Sequence, residues 1–245
     1  MIDLDVDALY LYFGDDYVIN DKIKLMQPTI GQIVAYGEAQ YFSMVHTMTA
    51  IPSDVKSLLW DQMDHTDWTT VEDFQLFMMF SQTMTPDKTG IIFGDLDFSK
   101  MRPYPNKVTG EIVLADKEAG IIIDQLIYMR IMNYLRKLHN ITPKPEKAKG
   151  KRAKEAMIDE DRRNREFNKD KPFKSFLLPL ISAVKVRQGY TKDYIKNMGL
   201  FEFFDDLTRL QIINQSDHLL NGAYSGMCDL SKIPKEQFNW LREQL

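Results

Sequence analysis

The feature that most constrains this chain is a break in its patterning. From Thr142 to Lys171 it reads TPKPEKAKGKRAKEAMIDEDRRNREFNKDK, dense in both signs of charge and nearly free of apolar residues. A segment of this kind cannot bury enough apolar surface to offset the entropy lost on ordering it. Between Lys144 and Lys171 eleven Lys and Arg stand against seven Asp and Glu, a local excess of four positive charges. The expectation is a mobile or extended linker, with a solvated helix in its second half. It divides the chain into a mixed α/β domain (1–141), the linker (142–171) and a helical domain (172–245). Only Phe167 interleaves an aromatic ring, and the positive excess is modest, so no specific nucleic-acid partner is expected.

Composition narrows the class. The 245 residues carry a net charge of −4, 44% hydrophobic and 27% charged residues, which suits an ordinary globular protein. A single cysteine, Cys228, excludes an intramolecular disulfide framework and a zinc site built only from cysteines. The acidic start MIDLDVDALY lacks a basic region followed by an apolar run, so no signal peptide is expected. No apolar run approaches the ~20 residues that span a bilayer. The expected setting is the cytoplasm.

The fold class read from periodicity is α+β, predominantly helical, with small antiparallel hairpins packed among helices and a helical C-terminal third. ALYLYF, YVI and KIKLM predict a hairpin or meander from Ala8 to Met26. Pro28 ends the strand, and Thr29 with Gln32 has the spacing of a capping box. The stripe behind it is Ile30, Ile33, Val34, Tyr41, Met44, Val45 and Met48. Gly37 falls on that stripe, which predicts either a close neighbour or a bend. Ser53 is the expected cap of the next helix, whose stripe is Val55, Leu58, Leu59 and Met63. Thr69 and Glu72 again have capping-box spacing. From Phe74 to Phe80 the following helix is apolar nearly all round, so it is central or covered by a partner.

GIIFGDLDF and EIVLAD are rich in strand formers, and KEAG joins the second to GIIID as a tight hairpin. A helix over Gln125–His139 follows, with the stripe Ile127, Ile131, Tyr134, Leu135 and Leu138. Arg136, Lys137 and His139 suit its C-terminal end, and Asn140 terminates it. Pro172 opens the helical third, and Pro179 predicts a kink. Gly189 and Thr191 mark a stop and a restart. Phe203, Leu207, Leu210 and Ile213 share a face, and Pro234 starts a last helix that buries Phe238 and Leu241.

Chemistry is sparsely signalled. Asp95 and Asp97, two apart in GDLDF, would share a face of a strand and could hold a divalent metal, but no third acid lies near in sequence. Asp3, Asp5 and Asp7 alternate in the same way. His46, His65, His139 and His218 form no i, i+4 pair, and His46 on an apolar helix reads as partly buried. Ser225 near Cys228 reads as a glycine-containing loop. TIGQIVAYG has neither the spacing nor the lysine of a phosphate-binding loop. No cofactor, metal or catalytic residue is therefore assigned. Fourteen methionines, clustered in part, suit either a core or an adaptable binding surface. Phe74, Phe77, Met78, Phe80, Met44 and Met48 are the candidate partner-binding residues.

One resemblance bears on function. DKIKLMQPTIGQIVAYGEAQYFSMVHTMTAIPSDVKSLLWDQMDHTDWTTVEDFQLFMM, then IFGDLDFSKM, LIYMRIMNYLRKLHN and PFKSFLLPLISAVKV resemble proteins of tailed phages and prophages of Gram-positive hosts. Members of that group are similar to tail-morphogenesis proteins. The resemblance implies a non-enzymatic tail assembly chaperone in the host bacterial cytoplasm. Its partners would be the tape-measure protein and the tail-tube protein, with a homo-oligomer as a further option. The alternatives are a virion structural protein, such as a head–tail connector or tail component, and a metal-dependent enzyme using Asp95 and Asp97.

Overall fold

Where the sequence predicts a first strand, the protein has a short helix, α1 (Ala8–Tyr12). The Asp7 carboxylate accepts the Leu9 N–H at 2.9 Å and closes its first turn. Leu11 is buried, and Tyr12 donates to Asp206 at 3.4 Å. Packing against a distant helix thus overrides the strand preference of the aromatic residues. The computed structural model describes residues 6–107, 109–226 and 233–242. Its architecture is α+β and predominantly helical, with two small antiparallel sheets and a helical C-terminal part.

The predicted hairpin follows as β1 (Tyr17–Asn20) and β2 (Ile23–Leu25), with Ile23 and Leu25 inward and Lys22 and Lys24 outward. The Thr29–Gln32 capping box forms as expected. Thr29 Oγ1 accepts the Gln32 N–H at 3.2 Å, and Gln32 Oε1 accepts the Thr29 N–H at 2.8 Å. It opens α2 (Ile30–Tyr36), which ends at Gly37, where φ is +108°, and α3 (Glu38–Thr49) continues in a new direction. Gly37 is therefore the bend. The close approach belongs to Gly31, whose missing Cβ would lie 2.7 Å from the carbonyl oxygen of Lys196. Val34 leaves the expected stripe and faces solvent.

A 3-10 turn (Pro52–Asp54) precedes α4 (Lys56–Gln62), and another (Trp68–Thr70) precedes α5 (Asp73–Ser81). The expected Thr69–Glu72 box sits three residues further on: Gln75 Oε1 accepts the Glu72 N–H at 3.3 Å. GIIF is helical rather than a strand, within α6 (Pro86–Phe93). Pro86 occupies its first turn, and Gly94 at positive φ ends it. The second sheet is β3 (Arg102–Pro105), β4 (Ile112–Asp116) and β5 (Ile121–Ile123), with β4 central. Two prolines hid β3 in the sequence, and they are tolerated because it is an edge strand.

Helix α7 (Gln125–Leu138) matches expectation, with Asp124 Oδ1 accepting the Ile127 N–H at 2.8 Å. Asn140 at φ +53° follows its end. The expected linker contains an ordered helix, α8 (Lys151–Lys169). The C-terminal part comprises α9 (Leu177–Gln188), α10 (Lys192–Asn197) and α11 (Leu200–Tyr224), then a 3-10 turn (Lys235–Phe238). Pro179 is the third residue of α9, where a missing N–H costs no intrahelical bond, so the expected kink is absent. Gly189, left-handed at φ +73°, stops α9, and the Thr191 hydroxyl caps α10 as expected. Leu241, expected to be buried, is exposed, while Phe238 is half-buried.

The boundary expected between 1–141 and 172–245 does not separate two cores. One apolar cluster holds Ile30, Ile33 and Tyr41 together with Leu177, Val184, Ile195, Met198, Leu200 and Phe203. Backbone bonds join the same regions: Ile30 N–H to Met198 O at 3.0 Å, and Leu200 N–H to Pro28 O at 3.2 Å. Gln27 reinforces the seam, donating to Leu11 O at 2.7 Å and accepting the Phe201 N–H at 3.0 Å. Gly31 lies under this seam. Gly31→Ala is expected to cost roughly 1–3 kcal/mol through overpacking against rigid backbone. Urea unfolding checks this, and an unchanged midpoint would overturn the assigned close contact.

Candidate interaction surface

The all-round apolar helix α5 is a partition between two apolar clusters. Phe74 and Phe77 are buried in the main cluster, with Met78 partly buried against it. From the opposite face Leu76 is buried in a second cluster with Ala50, Leu59, Trp68 and Ile158, and Phe80 packs on it. Met44 and Met48 are buried in the main core on α3. Four of the six candidate partner-binding residues are thus core. The other two are half-buried, and Phe80 lies against the second cluster, which α8 covers.

Helix α8 docks on α4 with an unusual seam. At helical spacing it turns Lys154, Ile158, Asp161 and Arg165 toward the body, and of its nineteen residues only Ile158 is buried, at 5% exposure. Lys154 pairs with Asp67 and donates to Thr69 Oγ1 at 2.6 Å. Arg162, beside the seam, grips Asp61 through two bonds of 2.6 and 3.1 Å. Arg165 reaches Ser57 Oγ at 3.1 Å. The hydrogen bonds and charge of Arg162 hold the Asp61 carboxyl below the usual carboxylate range. Burial pushes the Asp67 carboxyl up, but its bonds to Lys154 and Thr69 outweigh this and hold it low.

Asp161 has a further role. Val55, at the cap position of α4, offers no side-chain acceptor. Asp161 Oδ2 accepts the Ser57 N–H at 2.8 Å from 104 residues away, so α8 supplies a carboxylate to the first turn of α4. Ser53, the expected cap, is buried inside the 3-10 turn and its hydroxyl finds no partner. Nothing local to α4 signalled Asp161.

Where the arm leading into α8 crosses the 3-10 turns lies a hollow of about 450 Å³, lined by residues including Ile51, Trp68, Val71, Ala148 and Lys154. The buried Trp68 Nε1 beside it also lacks a hydrogen-bond partner. Lys56, nearly buried, bonds to Glu146 at 2.6 Å and to Ser53 O at 2.5 Å, with its ammonium 5.5 Å from the Trp68 ring centroid. The arm therefore covers apolar surface but is fastened mainly by charge.

Helix α9 shows the opposite pattern. Phe173 and Phe176 before and at its start, and Leu178 and Val186 on it, are 59, 51, 65 and 81% exposed. Glu38 holds its N-terminus, accepting the Phe176 N–H at 2.5 Å and the Leu177 N–H at 2.8 Å. The Phe176 ring meets Phe42 edge-on at 5.6 Å. These exposed apolar residues were absent from the candidate set, although PFKSFLLPLISAVKV carries more apolar residues than one buried stripe requires.

The acidic pair is dispersed. Asp95 is exposed, and Asp97 caps the 3-10 turn Phe98–Lys100 by accepting from Ser99 N–H at 3.0 Å and Ser99 Oγ at 2.5 Å. Among the described residues no three His, Cys, Asp or Glu side chains gather in a way that could hold a metal ion. Asp3, Asp5 and Cys228 lie outside the described residues. His46, expected to be partly buried, faces solvent, as do His65 and His218.

His139 is the buried histidine. Its Nδ1 lies 2.6 Å from Leu135 O and its Nε2 lies 2.7 Å from Tyr41 Oη. The carbonyl requires a proton on Nδ1, so neutral Nε2 accepts the tyrosine proton. Burial pushes the imidazole down to about 4, against the opposing effect of the Leu135 bond. No helix among the described residues is long and apolar enough to cross a membrane. Comparisons of the chain with protein-family models, with curated proteins and with solved structures find no match.

Two measurements test this geometry. Asp161→Ala is expected to cost about 1 kcal/mol in urea unfolding, the usual loss for a removed cap. It should also raise amide exchange at Ser57, and unchanged exchange there would refute the capping role. For His139 the unfolded chain takes up a proton near 6.5 whereas the folded chain resists until about 4. Stability is therefore lost as pH falls through that window, by about 2 kcal/mol between pH 7 and pH 5. His139→Gln should flatten this slope. An imidazole of His139 that titrates near 6.5 in the native state would contradict it.

Proposed function

We propose that this chain is a non-enzymatic tail assembly protein of a tailed phage. In this reading it is a chaperone that binds the tape-measure protein in the host cytoplasm before the tail-tube protein polymerises around it. The observation that carries the reading is the coincidence of two properties in one segment. PFKSFLLPLISAVKV contributes to the phage resemblance, and it is also where Phe173, Phe176, Leu178 and Val186 stand exposed. A helix that serves only the fold would place polar residues there. Exposed apolar side chains on a rigidly capped helix suit transient capture of another apolar helix. The buried positions of Phe74, Phe77, Met44 and Met48 move the proposed contact surface from α3 and α5 to α9.

Co-expression with the tape-measure protein of the same genome tests this. The expected result is soluble tape-measure protein that co-purifies with this chain. Leu178→Glu combined with Val186→Glu should abolish co-purification while leaving the urea midpoint within about 0.5 kcal/mol, as for surface substitutions. A tape-measure protein equally insoluble with and without the chain would overturn the chaperone role. Recovery of the chain in purified particles would point to a virion component.

A further inference from the structure

We propose that α8 is an electrostatic latch, closed in this structure over an apolar groove of α4 and its neighbouring 3-10 turns. Opened, the groove takes an amphipathic helix of the same stamp from a partner protein. The argument begins with an imbalance. The cluster that α8 joins is apolar: Leu59, Trp68 and Leu76 are buried in it, with Trp60 and Phe80 packed against it. The helix that covers it contributes one buried aliphatic side chain, Ile158, and a partly buried Met157. A permanent core element would match apolar with apolar.

The fastening lies instead in polar contacts at the rim: Lys154 to Asp67 and Thr69, Arg162 to Asp61, Arg165 to Ser57 Oγ, and the bond from Ser57 N–H to Asp161. The Arg162–Asp61 pair is half exposed on both sides, and pairs of this kind are weak and screened by salt. An element with few buried apolar contacts and solvent-accessible polar ones opens well below the free energy of global unfolding.

The chemistry of the occupant can be read from α8. Asp61 and Asp67 on the rim call for cations at the positions of Arg162 and Lys154, and the free first turn of α4 calls for a carboxylate at the position of Asp161. One aliphatic residue at the position of Ile158 joins the cluster that holds Leu59 and Trp68. A partner helix with more apolar residues on that seam would bury more surface than α8 does and would displace it. The geometry of α8 alone carries this inference, whatever client α9 captures.

The test uses the full chain. Amide exchange of α8 in the wild type is expected to accelerate at least tenfold between 0.05 and 1 M NaCl, while α7 stays protected. Lys154→Glu with Arg162→Glu should give the same opening at low salt, with increased binding of an apolar fluorescent dye. This double variant, and not the wild type at low salt, should bind a synthetic peptide of residues 150–170. In the pair variant Asp61→Lys with Arg162→Glu, α8 should be protected again, which separates an open latch from a damaged fold. Exchange of α8 that ignores both salt and charge reversal would overturn the proposal, as would loss of α7 and α8 protection together. A dimer of the opened variant would reassign the groove to α8 of a second copy and overturn the partner helix.

Discussion

Two helices in this protein receive a carboxylate at their N-terminus from a helix far along the chain. Asp161 of α8 serves α4 across 104 residues, and Glu38 of α3 serves α9 across 138. Unsatisfied N–H groups and the positive end of the helix dipole make a helix start costly unless an acceptor arrives. For α4 the acceptor arrives only when the tertiary structure is assembled, whereas α9 also has the local Ser175 hydroxyl, which accepts the Leu178 N–H at 2.9 Å. Glu38 also lies in the first turn of its own helix α3, so one carboxylate faces two helix N-termini. Docking therefore completes the starts of α4 and α9, which couples the charged arm and the helical third to the rest of the fold.

The same coupling explains why α5 is apolar on all sides. A helix at the edge of one core needs a single apolar stripe. α5 has a core on each side, with Phe74 and Phe77 facing one and Leu76 and Phe80 facing the other. The second cluster is small and is completed by Ile158 from α8. An apolar helix that could be covered by a partner is in fact covered by a segment of its own chain, fastened through charge.

Local signals were legible in the sequence and non-local ones were not. The Thr29–Gln32 box, the Gly189 stop, the Thr191 restart and the Gln125–Leu138 helix all depend on residues within a few positions of each other. Several misread elements depend on distant partners. ALYLYF became a helix because Leu11 is buried and Tyr12 meets Asp206; the charged arm, expected as a linker with a solvated helix in its second half, carries that helix but docks it through Asp61 and Asp67. Gly37 offered two physical readings, a bend or a close contact. The structure divided them between Gly37 and Gly31, and the second required knowing where Lys196 lies. The candidate partner-binding residues were drawn from the most apolar stretch, which is also the stretch a fold most readily buries.

The two helices that flank Pro172 invert the usual rule in opposite senses. α8 turns charge inward and is anchored by one isoleucine, while α9 turns leucine and valine outward and is anchored by Leu177 and Val184. Each inversion leaves free energy ungathered in the isolated molecule: apolar area still in water on α9, and mismatched cover above the second cluster. Both could be relieved by contact with another helix, on α9 by direct addition and on α4 by exchange. Addition requires no change in this chain, whereas exchange requires the arm to leave. The two surfaces therefore differ in kind, one always available and one conditional on the ion pairs of α8.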